Sequence, residues 1–272
     1  TIAFTAKAQD LVPFDSEGKI GFKDTTGKVV IKAYYRYPDS FYDGLLCANM
    51  DNKTGYVDIT GKIVIPFIYE RATPFYKGFA AVQLNNNVSI IDKKGKEVKK
   101  LKYNYLGKSK DDFVVVGLDE KYGTIVKSTG KELIPPIYNG MSIFYKNFAT
   151  VVRLGTKKGI VNKEGELIVP IQYDDISNLS NDYYQVRMGE KYGVINLELK
   201  VAPELKYDYI SPIYDEEGFF KVKASDKWGF INNSGKELTP LKYDFTRHFT
   251  EGYATVLREG RWYFLDNRRE EL

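Results

Sequence analysis

One pattern returns along this chain often enough to dictate its architecture. The segments Lys19-Ile-Gly-Phe22, Lys53-Thr-Gly-Tyr56, Asn87-Val-Ser-Ile90, Lys121-Tyr-Gly-Thr124, Lys157-Lys-Gly-Ile160, Lys191-Tyr-Gly-Val194, Lys227-Trp-Gly-Phe230 and Arg261-Trp-Tyr-Phe264 follow one another in register. Their third residues stand at 21, 55, 89, 123, 159, 193, 229 and 263, at spacings of 34, 34, 34, 36, 34, 36 and 34 residues. Composition does not produce such a period. A module duplicated in tandem does, and modules of this size stack because none can bury its apolar faces alone.

Two further signatures keep the same frame. A turn glycine stands at Gly27, Gly61, Gly95, Gly130, Gly165 and Gly235, replaced by Leu199-Lys200 in the sixth unit. Five residues on is Pro66, Pro135, Pro170 or Pro240 in units two, four, five and seven, and three residues beyond that position is a tyrosine in all seven full units. These are Tyr35, Tyr69, Tyr103, Tyr138, Tyr173, Tyr207 and Tyr243. A slot filled seven times by one amphipathic ring is a packing requirement with a polar tip to satisfy.

Each unit reads as three short strands. Phe79 to Leu84, Gly55 to Asp58 and Ile63 to Tyr69 are β-branched or aromatic runs separated by turn residues such as Asn85-Asn-Asn87 and Ile59-Thr-Gly-Lys62. Loops this short allow antiparallel hairpins and exclude parallel crossovers. The expected fold is therefore all-β, a tandem array of three-stranded antiparallel meanders of about 34 residues each. Propeller blades usually carry four strands, so three per unit favours an open solenoid-like stack over a closed β-propeller. Residues 1–10 read as an N-terminal segment, and 11–272 as a single domain of seven full units and a partial eighth ending at Asp266 before a charged tail.

The run Lys227-Trp-Gly-Phe-Ile-Asn232, with Ser234-Gly-Lys236, Pro240-Leu-Lys-Tyr-Asp244, Phe249 and Glu251-Gly-Tyr-Ala-Thr-Val256, resembles the WG-containing, or KWG, repeat family. Elsewhere the tryptophan slot holds Ile20, Thr54, Val88, Tyr122, Lys158 and Tyr192, so the frame is kept while its namesake residue is mostly lost. The resemblance implies a bacterial, often exported or surface-associated interaction scaffold with no shared catalytic set. The stretch Ala6-Lys7-Ala8 fits the small-residue pattern of a secretory cleavage site, which makes residues 1–8 a signal-peptide remnant and the expected location extracytoplasmic: periplasmic, cell surface or secreted. No apolar run approaches the roughly 18 residues of a membrane span.

The chemistry available is limited. One cysteine, Cys47, and one histidine, His248, exclude a disulfide framework and His- or Cys-rich metal centres, so no cofactor or metal is expected. Cys47 sits where other units have Ala81 or Val151 and is expected buried in a strand; His248 is expected at the surface. No Gly-x-Ser-x-Gly elbow or phosphate loop is present. Asp174-Asp175 and Asp215-Glu216-Glu217 are the candidate carboxylate pairs for glycosidase chemistry. Asp174, however, shares its repeat slot with Glu70, Asp208 and Asp244, and the second cluster lies in a two-residue insertion of unit six.

Residues in a shared slot are explained by folding; departures need another reason. They are Tyr34, Arg36 and Tyr37 in unit one, the segment 98–110 in unit three with Lys100, Lys102, Tyr105, Lys108 and Lys110, and Tyr214, Asp215, Glu216 and Glu217 in unit six. Aromatics beside Arg or Lys suit peptide and glycan surfaces. The expectation is a non-enzymatic scaffold binding a protein or an envelope glycan. The alternatives are a carbohydrate hydrolase on a propeller and an anionic-polymer binder acting through the Lys-rich third unit. A net charge of +4 gives no support to a nucleic-acid partner.

Overall fold

The computed structural model describes residues 11–142, 148–153, 155–180, 183–197, 203–211, 218–232, 234–266 and 268–272. The expected signal-peptide remnant and the unit-six candidates Tyr214, Asp215, Glu216 and Glu217 lie outside the described residues. The chain divides into two compact bodies, Thr1–Ala149 with Asn162–Gly165, and Thr150–Val161 with Glu166–Leu272.

Among the described residues every regular element is a strand, and the strands form eight small sheets whose order follows the chain. Val12–Ser16, Lys19–Lys23 and Val29–Tyr35 make the first sheet. The second has four strands, Phe41–Tyr42, Leu45–Met50, Lys53–Asp58 and Ile63–Tyr69, and the third and fourth repeat that plan from Arg71–Ala72 and from Tyr105–Lys110. Among the described residues four sheets have four strands, which departs from the expected three-stranded unit, and the other four have three. Residues after each repeat tyrosine supply a leading strand; five of the seven are only two residues long, too few to show alternation, while Tyr105–Lys110 and Asp175–Ser180 have six. Strand number thus no longer favours an open stack over a propeller.

The hairpin turns follow local chemistry. The Asp58 carboxylate accepts the N–H groups of Thr60 and Lys62 at 2.9 and 3.1 Å and the Thr60 hydroxyl at 2.6 Å, and Gly61 closes the turn at φ 85°. Asp24 and Asn232 do the same in units one and seven. The pattern glycine has a different task. A Cβ on Gly21, Gly123 or Gly159 would stand 2.6, 2.3 or 2.6 Å from the carbonyl oxygen of Ile31, Ile134 or Val169, so the third strand's backbone crosses directly over it.

Alternation along the inner strands joins neighbouring sheets. In the first body Leu46, Ala48 and Val57 of the second sheet pack with Phe22, Ile31 and Tyr35 of the first. The alternate residues Leu45, Cys47 and Tyr56 turn the other way, onto Ala80, Val82 and Ile91 of the third sheet. Ala81, Val88 and Ile90 pass the contact on to Leu106, Val114 and Val116 of the fourth. Strands buried on both faces read as continuous apolar runs for this reason. In the second body Phe220, Val222 and Ile231 cluster with Tyr207 and Ile210, and Phe230 with Tyr243, Phe249, Val256 and Leu265.

All seven repeat tyrosines are buried. Three of them, with the lysine before each, clasp a glutamate from the next unit. Tyr103 donates to Glu132 at 2.7 Å while Lys102 pairs with it at 2.9 Å; Tyr207 and Lys206 engage Glu237, and Tyr243 and Lys242 engage Glu271. The eighth unit does not stop at Asp266. The Asp266 carboxylate accepts from Arg268 and Glu270 N–H, Arg269 takes the turn glycine's place at φ 70°, and Glu271 reaches the clasp.

Candidate binding site

The departures of unit one converge on two concavities of the first body. Tyr37, 92% exposed, lines a groove of about 550 Å³ with Leu11, Pro13, Ile20, Phe22 and Phe41, and with Asp15 and Asp39 at its polar margin. Phe22 and Phe41 meet edge to face, their centroids 5.5 Å apart. Among the described residues, Val12–Ser16 pairs with Lys19–Lys23 and has no leading strand on its other edge. The preceding residues, Tyr34 and Arg36, line a second pocket of about 300 Å³ with Lys19, Met50, Asp51 and Asn52. Lys19 begins the second strand of the first sheet, Arg36 follows the third and bridges to Asn49, and the far wall is the turn after Leu45–Met50.

The unit-three candidates do not converge. Lys100 borders a pocket with Tyr69, Ser89 and Glu97, whereas Tyr105 and Lys108 border another with Tyr122 and Met141. Tyr105 is held edge to face by Tyr122, and the Arg71 guanidinium sits 4.9 Å from its ring centre. Lys102 pairs with Glu132 in the clasp, with its side chain still 61% exposed. Lys110 ends the leading strand of the fourth sheet. The five residues were grouped by sequence proximity, but the chain passes from the third sheet to the fourth between Lys100 and Tyr105, so Lys100 lies at one pocket and Tyr105 and Lys108 at another.

The candidate carboxylate pair is tied up. Asp174 accepts from Lys157 at 2.5 Å and from Gly189 N–H, and these hold its carboxyl below the usual range. Asp175 is lowered as well: burial opposes the shift, but the Lys158 amine at 2.6 Å and the Ser177 hydroxyl outweigh it. Cys47 is buried as expected, and burial pushes its thiol up to about 12. His248 differs from expectation. It is half-buried with an unbonded Nδ1, and burial, then the nearby Lys221, pushes its pKa down.

One unusual residue escaped the sequence reading. Lys127 is 1% exposed, and its amine donates to the Pro74 carbonyl at 2.6 Å, tying the fourth sheet to the loop before Phe79–Leu84. Burial pulls its pKa down to about 8, against the pull of Asp112, Asp43, Cys47 and Asp111 in the other direction. The available signal was a count: seven positions separate Gly123 from Gly130, where six separate Gly55 from Gly61, Gly159 from Gly165 and Gly229 from Gly235. The extra residue falls within the turn Lys127-Ser-Thr129, since Gly130 N–H bonds to Val126 as Gly61 N–H bonds to Asp58.

Eight successive antiparallel sheets, each built on one repeated sequence frame, define a tandem β-repeat protein. The model of the WG containing repeat matches residues 20–53, 55–87, 89–122, 125–155, 159–192, 192–228 and 228–262, and the chain belongs to that family. No curated protein matches it in sequence. Among solved structures, a eukaryotic initiation factor aligns at 9% identity and TM-score 0.46, covering 95% of this chain and 82% of its own. BamB from Moraxella catarrhalis aligns at 12% and 0.43, covering 91% of each chain, and Hsv2 from Kluyveromyces marxianus at 12% and 0.41, covering 84% of this chain and 95% of its own. Likenesses at this level transfer neither ligand nor activity. Among the described residues no helix is long and apolar enough to cross a membrane.

Proposed function

We propose that this chain is a non-catalytic scaffold whose first unit binds a protein partner. The observation that carries this reading is the groove around Tyr37, where an exposed ring stands over an apolar floor of Leu11, Ile20, Phe22 and Phe41. Tyrosine buries a large area while losing little side-chain freedom, and an extended segment laid on such a floor can add hydrogen bonds along a strand edge. The remaining repeats then serve to hold the groove rigid, since the second sheet that forms its Phe41 wall is itself packed on the third.

Photocrosslinking tests the proposal. A benzophenone side chain replacing Tyr37, with a control replacing the exposed Tyr209, is irradiated in an extract of the source cells. One protein adduct of defined mass at position 37 and none at 209 is the expected result. Adducts of carbohydrate, or equal labelling at both positions, would transfer the proposal to a glycan or remove it.

A further inference from the structure

The second pocket of unit one has a template elsewhere in the molecule. In units five, six and seven the residue after the repeat tyrosine is an aspartate, and it makes two contacts. Asp174 accepts from Lys157 and from Gly189 N–H; Asp208 from Lys191 and from Ser225 N–H; Asp244 from Lys227 and from Glu259 N–H. The lysine is the first residue of the repeat pattern, and the N–H belongs to a hairpin turn whose residue has φ 60°, 47° or 51°. Glu70 of unit two caps the same turn position, accepting from Asn85 N–H at 3.1 Å.

Unit one keeps the donors and changes the acceptor. Lys19 holds the lysine position and Asp51 the turn position, with φ 52°, so its N–H is presented as in the sister hairpins. The residue after Tyr35, however, is Arg36. A carboxylate that elsewhere neutralises the lysine and caps the turn is thus replaced by a second cation. Among the described residues no hydrogen bond or ion pair engages the side chain of Lys19 or Arg36. The outcome is the pocket of about 300 Å³ lined by those two cations and the Asp51-Asn52 turn.

We infer that this pocket is a binding site for a carboxylate supplied from outside the chain, in the position that Asp174, Asp208 and Asp244 fill from within. Arg36 offers a planar fork that takes both oxygens of a carboxylate, Lys19 a point charge, and the turn a backbone N–H. The Asp51 carboxylate also borders the pocket and opposes additional negative charge, which favours a singly charged carboxylate over a phosphate dianion. Tyr34, 51% exposed, supplies the wall on which the carbon skeleton of the ligand lies. The carboxylate has two sources, an acidic side chain of a partner protein or a free small acid. The first rests on the protein-binding reading above, and the second does not.

Amide-resolved NMR titration of the full chain separates these. The probes are sodium acetate, an acetylated and amidated Gly-Asp-Gly tripeptide, and inorganic phosphate, each against sodium chloride at matched ionic strength. Saturable movement of the Asp51 amide and the Arg36 Nε signal with acetate and the tripeptide, and weaker response to phosphate, is expected. Arg36→Gln should weaken binding about tenfold, the loss of one charge-assisted hydrogen bond. Arg36→Asp, which restores the sister pattern, should abolish it and move the Asp51 amide toward its saturated position with no ligand present. Tripeptide binding well above acetate assigns the site to a protein partner, and the reverse to a free acid, whatever crosslinking at Tyr37 shows. Movement that follows ionic strength alone, preference for phosphate, or unchanged binding in Arg36→Asp would overturn the inference. Spectra of both variants that retain the wild-type dispersion exclude unfolding as the cause.

Discussion

Units one and seven use one hairpin frame for opposite ends. In unit seven the frame is closed on itself: Lys227 and Glu259 N–H share the Asp244 carboxylate, and the Tyr243 hydroxyl and Lys242 share Glu271. In unit one Arg36 stands opposite Lys19, and Ile63 of the next unit holds the slot that Glu271 fills for unit seven. Both keep a close-packed glycine, at 21 and 229, and the same turn, at Asp24 and Asn232, although Val29–Tyr35 is a paired strand in unit one and residues 237–243 of unit seven make only isolated bridges. Three side-chain exchanges at fixed slots, Asp244 to Arg36, Lys242 to Tyr34 and Glu271 to Ile63, therefore separate a self-satisfied unit from one whose Lys19 and Arg36 side chains have no partner among the described residues. Repeat frames permit this because the strands depend on backbone pairing and on the inward faces, whereas the slots at the rim carry little of the stability.

The largest expected effect tests whether the shared frame is structural in both units. Tyr243→Ala removes a ring that is 1% exposed, and it should cost about 3 to 5 kcal/mol in urea unfolding, with Tyr35→Ala close behind. A loss in one unit alone would break the equivalence of the slot. Replacing only the hydroxyl sharpens the comparison. Tyr243→Phe should cost about 1 to 2 kcal/mol because it leaves Glu271 short of a donor, while Tyr35→Phe should be nearly neutral.

A pH profile examines the departure in unit four. The Lys127 pKa is lowered to about 8 in the folded chain from an ordinary 10.5, so between these values the unfolded chain binds the extra proton and stability rises with pH. This contribution is complete above 10.5 and is lost as pH falls through about 8. Relative to Lys127→Met, it should appear as roughly 2 kcal/mol gained between pH 8 and 10. Tyr207 acts in the opposite sense. Burial first, and then Glu237, raises its pKa to about 12 from 10, against the pull of Lys206, so its stabilisation is present below 10 and fades as pH rises toward 12. Cys47, raised from 9.0 to about 12, offsets the Lys127 slope above pH 9, so the wild-type profile rises from pH 8 to about 9 and then levels off, and an identical profile in Lys127→Met would remove Lys127 as a buried strut.

The smallest effect belongs to the rim. Asp244→Asn breaks an exposed ion pair, and its melting temperature should fall only slightly, by less still in high salt. A large fall would mean that the closed rim of unit seven is part of its foundation. The difference from unit one would then be one of stability rather than of binding.

The repeat period, the all-β class and the burial of the seven tyrosines were all legible in the chain, since each is imposed by local chemistry repeated many times. Tyr34, Arg36 and Tyr37 were also found as departures from the frame, and the structure places them at two pockets of one unit. The leading strands were not legible, because Phe41–Tyr42 and Arg71–Ala72 owe their existence to an edge already formed by Leu45–Met50 and Phe79–Leu84. Nor was the fate of Lys102, whose partner Glu132 lies thirty positions away in the next unit. Tertiary structure alone decided which charges found partners. Lys19, Lys157, Lys191 and Lys227 occupy one repeat slot, and only the packing of each hairpin against its own turn shows that three are neutralised by an aspartate while the first faces Arg36. Charge pairing depends on distance in space, and a sequence records distance only along the chain.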